Sequence, residues 1–260
     1  MAEKIKNTLS VAIIAQNEER VIGQCLDSVR WADEIVVVDG FSTDRTVQIC
    51  KEKGATVYQR EFDGFAPQKK FALEKTSGSW VLSLDADEWL LEPLQEEMQS
   101  LLKNGTTCDG FFIPRLAFFM GRTILHGGWY PGYQMRLFKK GKGRVREARV
   151  QVGFLLDGRA GFLKHDMIHD THPTVHQSII KLNRYSSLEA HERLDRKRVR
   201  WYHFFLHPAA AFLRKYVGLR GFLDGMPGLI LALIDGMVKL ALYIKIWELQ
   251  HKDEISPENK

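Results

Sequence analysis

Trp80-Val81-Leu82-Ser83-Leu84-Asp85-Ala86-Asp87-Glu88 is an apolar run of strand length that stops in two carboxylates. Side chains alternate along a strand, so Asp85 and Asp87, separated by one small residue, can point the same way at its carboxyl end. Carboxylates so placed are hard oxygen ligands, suited to Mg²⁺ or Mn²⁺ carrying the phosphates of a nucleotide. A solvated acidic turn has the same short pattern, and Asp-x-Asp alone does not separate the two readings. The chain upstream does more.

Leu9 to Ala15 is an uncharged strand candidate, and from Asn17 onward Val21, Ile22, Leu26 and Val29 recur at helical spacing. Glu34 to Val38 is a second apolar run, ending at Asp39-Gly40. Ser42-Thr43-Asp44 supplies N-cap chemistry for a helix through Lys53, and Ala55 to Gln59 is a third strand. Pro67 to Lys75 reads as helix, and Trp80 to Leu84 is the fourth strand. This alternation predicts an α/β fold, a parallel sheet with helices on both faces. Ligands of such sheets bind beyond the carboxyl ends of the strands. Asn17 and Glu18, then Asp39, then Asp85 and Asp87 therefore converge on one crevice. The pattern weakens after residue 105. Phe111 to Arg115 and Gln134 to Phe138 read as strands among glycine-rich loops, and a helix follows from about Thr174 to Leu194.

The chain has 260 residues, 45% of them hydrophobic, enough for one large domain or one domain with an appendage. Cys25, Cys50 and Cys108 lack metal-type spacing, and an odd count argues against a disulfide framework, so a reducing compartment is expected. The first residues, Met-Ala-Glu-Lys-Ile-Lys-Asn, hold no apolar segment of the signal-peptide kind. A net charge of +5 and a pI near 9.0 suit nucleotide phosphates, anionic lipid or nucleic acid, and choose none of them.

Four segments resemble the family 2 glycosyltransferases, in that family's order: Val-Ala-Ile-Ile-Ala-Gln-Asn-Glu-Glu, Ala-Asp-Glu-Ile-Val-Val-Val-Asp-Gly-Phe-Ser-Thr-Asp-Arg-Thr, Gln-Lys-Lys-Phe-Ala-Leu and the run at Trp80. Tyr-Pro-Gly-Tyr-Gln-Met-Arg-Leu-Phe and His-Asp-Thr-His-Pro-Thr are similar to the lipopolysaccharide core glucosyltransferase branch. The resemblance implies a GT-A fold, a Rossmann-like nucleotide-binding sheet, with a nucleotide-sugar half at 1–104 and an acceptor half at 105–200. A C-terminal helical appendage follows at 201–260. Two positions depart from the family pattern. Gln16 stands where an aromatic often precedes the first-strand Asn, and Asp39-Gly40-Phe41-Ser42 replaces the usual Asp-Ser/Gly-Gly-Ser.

By resemblance, Asn17, Glu18, Asp39, Lys69 and Asp85 contact a UDP-sugar. Asp39 would accept hydrogen bonds from uracil or ribose, or else cap a helix. Lys69 would neutralise phosphate, or else be a solvated helix lysine. Asp87 would ligate Mg²⁺ or Mn²⁺ bridging the diphosphate, and His169 would complete that site from a late loop. His165, His172 and His176 stand close to it in sequence but fit no closed zinc spacing. An inverting transfer needs a general base for the acceptor hydroxyl. Glu147 in Arg-Val-Arg-Glu-Ala matches the family's acidic position, with surface ion pairing as the alternative and Glu88 in reserve. Arg136 would clamp phosphate or acceptor, or lie on the surface. Trp129 and Tyr130 would stack on an acceptor sugar, or pack in the core.

From Arg193 the chain turns basic, with Trp201, Tyr202, Phe204 and Phe205 next in line. Pro227 to Leu249 is largely apolar but carries Asp235, Lys239 and Lys245, and each charge would cost about 2.5–3.5 kcal/mol at the centre of a span. Asp235 and Lys239, at i,i+4, are placed to pair. A helical hairpin lying in the membrane interface is preferred over a span, with an oligomer or domain-packing interface as the alternative. The expected protein is a cytoplasmic inverting hexosyltransferase on the cytoplasmic face of the inner membrane. It would carry a hexose, glucose by preference, from a UDP-sugar to a glycolipid acceptor such as lipopolysaccharide inner-core heptose. A polyprenyl-phosphate glycosyltransferase and a non-catalytic nucleotide-sugar-binding protein are the alternatives. A nucleic-acid-binding module would leave the four ordered motifs unexplained, so no nucleic-acid partner is expected.

Overall fold

A computed structural model of the chain describes residues 7–146, 152–172, 175–194 and 198–252. Glu147 lies outside them. The chain divides into two compact units, one of Met1–Leu116 with Pro131–Asp170 and one of Ala117–Tyr130 with Thr171–Lys260.

The first unit is built on Leu9–Ala15 (β1), buried at every position. Ile22–Val29 (α1), Glu34–Asp39 (β2), Thr46–Glu52 (α2), Thr56–Gln59 (β3), Phe65–Lys75 (α3) and Trp80–Asp85 (β4) follow in the alternation expected. Glu88–Leu90 (β5), Glu92–Asn104 (α4), Gly110–Ile113 (β6) and Arg115–Phe119 (β7) come next, then Arg122–Ile124 (β8) and Gln134–Lys139 (β9). Gly143–Val145 (β10), Phe154–Leu156 (β11), Ala160–Phe162 (β12) and Met167–His172 (β13) complete the strands. A seven-stranded sheet runs β12-β6-β9-β4-β1-β2-β3. β1 pairs in parallel with β2 on one side and β4 on the other, aligning Ala15 with Asp39 and Ile14 with Asp85. That register brings three strand ends to one edge of the sheet. β9 is antiparallel to both β4 and β6.

Period-two alternation feeds both faces of the sheet. Val11 and Ile13 pack with Leu26, Leu82, Leu94 and Met98 on one face, while Ala12 and Ile14 pack with Val38, Ala72, Val81 and Phe138 on the other. Burying each large side chain contributes about 1.5–3 kcal/mol. Polar groups tie the opposite edge. The Ser10 hydroxyl donates to Glu34, whose carboxylate also accepts the Ser77 N–H at 2.7 Å. Gly78 is needed there because a Cβ would lie 2.7 Å from the Ser10 hydroxyl. Cys25, Cys50 and Cys108 are all free, as the absence of a disulfide framework requires.

Several boundaries differ from those read in the sequence. α3 starts at Phe65, because Pro67 is tolerated in a first turn whose N–H groups need no intrahelical partner. The single strand expected over Phe111 to Arg115 is two, β6 and β7, interrupted by Pro114, which has no N–H to give a ladder.

In the second unit, β7 and β8 form a hairpin through Ala117↔Ile124 and Phe119↔Arg122. Val175–Arg193 (α5), His203–Leu213 (α6) and Gly225–Gln250 (α7) are its helices. Ala190, Val199, Leu242, Tyr243 and Ile246 form one cluster among them. α6 leads through a π-helical turn, Arg214–Gly218, and a 3-10 turn, Gly221–Asp224, into α7. Gly236 lets the two helices approach closely, since a Cβ there would sit 3.2 Å from the Pro208 carbonyl. The helical hairpin expected near the C-terminus is present. Its ion pairs are not those expected: Asp235 lies 3.1 Å from Lys215, and Lys239 lies 3.7 Å from Glu189. Lys215 and Glu189 face Asp235 and Lys239 from neighbouring elements, so packing overrides the local i,i+4 pairing. Among the described residues no helix is long and apolar enough to cross a membrane.

Candidate active site

The carboxyl edge of the sheet carries two laced loops. Asn17 follows β1 with φ 56°, a left-handed conformation that asparagine tolerates better than most residues. Its Oδ1 accepts the Thr43 N–H at 2.8 Å, and its own N–H donates to the Ser42 hydroxyl at 2.8 Å. The Glu18 N–H donates to Thr46 Oγ1 at 2.8 Å. Asp44 Oδ1 accepts the Thr46 N–H at 2.9 Å, which starts α2 as the Ser42-Thr43-Asp44 stretch foretells. Asp39 is fully buried. Its carboxylate accepts from the Ser42 N–H at 3.0 Å, from the Ser42 hydroxyl, and from Gln59 Nε2 at 3.2 Å. Asp39 thus closes its own loop instead of capping a helix.

Phe41, next in that loop, is 56% exposed and has φ 58°. A bulky side chain in this region is strained, and this one regains little by packing.

At the end of β4 the carboxylates diverge in role. Asp85 Oδ1 is 2.6 Å from the Lys69 ammonium, and Asp85 Oδ2 accepts from Arg136 Nη2 at 2.8 Å. The same nitrogen of Arg136 donates to Glu88 Oε1 at 2.6 Å, and Arg115 lies 3.6 Å from that oxygen. Lys69, Glu88 and Arg136 are buried. Burial alone would raise the Asp85 carboxyl, but the Lys69 ammonium and Arg136 guanidinium hold it far below the usual carboxylate range. Burial lowers Lys69 despite the Asp85 charge. Arg136 is raised because Glu88 and Asp85 outweigh its desolvation.

Three expectations change accordingly. Lys69 is no solvated helix lysine, and its charge is turned onto Asp85. Arg136 is no surface arginine and clamps two carboxylates of its own chain. Glu88, held in reserve as a base, is fully buried, accepts the Asp85 N–H at 3.0 Å and is spent on the arginines.

Asp87 faces the other way. His169 Nε2 lies 3.4 Å from Asp87 Oδ2, and both side chains are partly exposed. β5 and β13 make this meeting, pairing antiparallel with His169 opposite Glu88. The Asp170 N–H donates to the Asp87 carbonyl at 3.0 Å, and the Asp170 carboxylate is 2.6 Å from Arg20 Nη2. Two cis ligands about 2.1 Å from an octahedral ion sit about 3 Å apart, so one carboxylate oxygen and one imidazole nitrogen at this separation fit a Mg²⁺ or Mn²⁺ ion. Among the described residues no third His, Cys, Asp or Glu joins them, which suits ions that keep waters and substrate phosphates as ligands. His165 is engaged by Glu97 at 2.9 Å and His176 is exposed.

Trp129 and Tyr130 belong to the second unit and are half-buried. Trp129 packs against the cluster of Ala117, Phe119, Ile124 and Leu231, with the Lys215 ammonium 5.6 Å from its ring centre. Sequence reasoning missed Arg20, Asp170 and Arg115: β13 carries Asp170 to the Arg20 of the loop after β1, and β7 begins with Arg115 beside Glu88.

The glycosyl transferase family 2 model matches residues 10–167. The chain is 33% identical to the lipopolysaccharide core biosynthesis glycosyltransferase LpsC of Rhizobium meliloti (strain 1021), over 88% of this chain and 90% of that one. It is 44% identical to an uncharacterised glycosyltransferase of Rickettsia typhi across 92 residues, 35% of this chain and 32% of the other. A crystal structure of S. aureus TarS 1-349 in complex with UDP-GlcNAc aligns with 95% of this chain and 91% of that one, at a TM-score of 0.47 and 16% identity. That likeness is too loose to transfer side-chain geometry. The family match spans the laced loops, Asp85 and Asp87, and on it and on the likeness to LpsC the chain belongs to glycosyltransferase family 2 and is a glycosyltransferase.

Proposed function

We propose that the protein is an inverting hexosyltransferase that moves glucose from UDP-glucose to a glycolipid acceptor, a heptose of the lipopolysaccharide inner core, at the cytoplasmic face of the inner membrane. The likeness to LpsC along nine-tenths of that protein carries this reading. Asn17 and Glu18 line the nucleoside end of the crevice above the buried Asp39, and Asp87 and His169 would hold a divalent metal at the diphosphate end. Bound there, a divalent ion supplies Lewis acidity to the diphosphate oxygens that gain charge as the C1–O bond breaks.

Asp85 does not ligate the ion. Its carboxylate is kept ionised by Lys69 and Arg136, fixing the turn that aims Asp87. Glu147, outside the described residues, accepts the proton of the acceptor hydroxyl as that oxygen bonds to C1 and UDP departs. Charge on the leaving group is then balanced without a covalent sugar–enzyme intermediate, and the anomeric configuration inverts.

UDP release from a panel of UDP-hexoses, with Mn²⁺ or Mg²⁺ and a truncated core acceptor, tests the proposal. UDP-glucose with a heptose-terminated acceptor should be the productive pair. Asp87→Ala should lower kcat by about 100-fold or more, the scale of losing one group that stabilises developing charge. Full activity of Glu147→Gln would instead point to an acceptor that arrives ionised, such as a polyprenyl phosphate.

A further inference from the structure

α7 is apolar on two faces, whereas an ordinary surface helix is apolar only on the one it buries: Leu231, Leu242, Tyr243 and Ile246 are buried, and a second apolar row is exposed. Its exposed positions from Met226 to Trp247 are Met226, Leu233, Met237, Leu240, Ile244 and Trp247, all apolar. They fall at helical spacing, so they form one stripe about 30 Å long at 1.5 Å per residue. Of the four charges of the same helix, Glu248 is exposed just beyond Trp247, and the other three have partners within the protein. The Lys245 ammonium, with three N–H donors, lies within hydrogen-bond distance of four oxygens: the Asn183 carbonyl and side chain, both at 2.7 Å, and the hydroxyls of Ser186 and Ser187 at 2.9 and 2.7 Å. Asp235 and Lys239 are held by Lys215 and Glu189.

The segment before α7 also exposes apolar side chains. Trp201 and Phe205 are exposed at its start, and Leu213, Val217, Phe222 and Leu223 are exposed around the turns that end α6. Between residues 198 and 226 stand five cations and one carboxylate, Asp224, which is taken up by His126 and the Leu125 and His126 N–H groups. Arg198, Arg200, Arg214 and Arg220 are exposed. An apolar stripe of this size on a monomer marks an interaction surface.

We infer that the outward face of the α6–α7 hairpin lies in the interface of an anionic lipid bilayer, with the stripe among the acyl chains and the arginines on the headgroups. The charge pattern selects lipid over a second copy of the chain. A two-fold pairing of α7 stripes, parallel or antiparallel, would set the exposed arginines of one copy against those of the other, whereas phosphate headgroups neutralise them. In-plane insertion also explains why Asp235, Lys239 and Lys245 are each paired within the protein, since acyl chains offer them no partner. The inference names the surface behind the membrane-face reading above and rests on that part of it alone.

Flotation of the full chain with phosphatidylcholine vesicles, with and without phosphatidylglycerol, at low and high salt, tests it. Wild type should float with the phosphatidylglycerol vesicles at low salt. Combined Leu233→Gln, Met237→Gln and Ile244→Gln should weaken that binding about tenfold or more, with an unchanged circular dichroism spectrum. Arg214→Ser with Arg220→Ser should erase the preference for phosphatidylglycerol, as added salt should. Vesicle binding by the triple variant equal to wild type, or wild type ignoring both vesicles, would overturn the inference. So would light scattering showing a wild-type dimer that the triple variant dissolves. UDP binding by the same variants separates the two readings: lost flotation with intact UDP affinity touches only this surface, and a wild type that floats but binds no UDP sinks only the donor reading.

Discussion

Arg136 shows how little a residue's role at a site can be read from its neighbours in sequence. Met-Arg-Leu-Phe gives a cation on a strand, and nothing in that stretch says that β9 runs antiparallel to β4 and delivers the guanidinium between Asp85 and Glu88. Arg136→Met leaves Glu88 buried with only Arg115 at 3.6 Å, so it should destabilise the fold by about 3–5 kcal/mol in urea titrations. Arg136→Lys should recover only part of this, because an ammonium lacks the planar fork. The opposite edge of the sheet offers a pH test. Burial would raise the Glu34 carboxyl, but the Ser10 hydroxyl and Ser77 N–H hold it below its ordinary value. A carboxyl lowered by folding stabilises most above its unfolded pKa, near 4.3, and loses that contribution as pH falls through the lowered one. The stability gap between wild type and Glu34→Gln should therefore be full at neutral pH and close only in acid. A gap that widens on acidification would contradict this. The positions of Asn17, Asp39 and Asp85 were legible because each follows or ends a strand-length apolar run, with Asp87 two residues on. The burial of Lys69 was not, since helix α3 has no clear apolar face to show which side turns inward.

Short elements account for most of what the sequence hid. β1, β2 and β4 announce themselves by length and apolar runs that are mostly buried, whereas β5 is three residues and has no period to detect. Yet β5, by pairing with β13, is what sets His169 beside Asp87. At the other extreme α7 is long and unmistakable as a helix, and its polarity is what misleads. Four charges in 26 residues suggest a solvent-facing side, yet Asp235, Lys239 and Lys245 are taken up by neighbouring elements and leave an apolar row exposed. The contrast is measurable by denaturation. Leu242→Ala and Ile246→Ala, on the buried face, should each cost about 2–5 kcal/mol. Leu233→Gln and Ile244→Gln, equally apolar residues on the exposed face, should each change stability by about 0.5 kcal/mol or less. Equal losses on the two faces would mean that the stripe is covered within the chain.

The whole chain joins a unit that carries most of the family 2 match to a largely helical unit with an exposed apolar row, each with its own core. A ligand that binds only the folded first unit must stabilise it by mass action. UDP at about 100 times its Kd adds about 2.7 kcal/mol. If Asp87 and His169 hold the ion at the diphosphate, the affinity for UDP has a metal-dependent part and a metal-independent part. The first passes through those two side chains, and the second through the loops laced by Asn17 and Asp39. In thermal melts, UDP with Mn²⁺ should raise Tm more than UDP alone, and a chelator should remove the excess. Asp87→Asn should show the smaller shift with or without Mn²⁺, because it retains the nucleoside contacts and loses a charged ligand. A shift that Mn²⁺ does not change in wild type would leave Asp87 and His169 without a metal to hold. A shift lost entirely in Asp87→Asn would mean instead that the turn after β4, not the ion, is what the nucleotide requires.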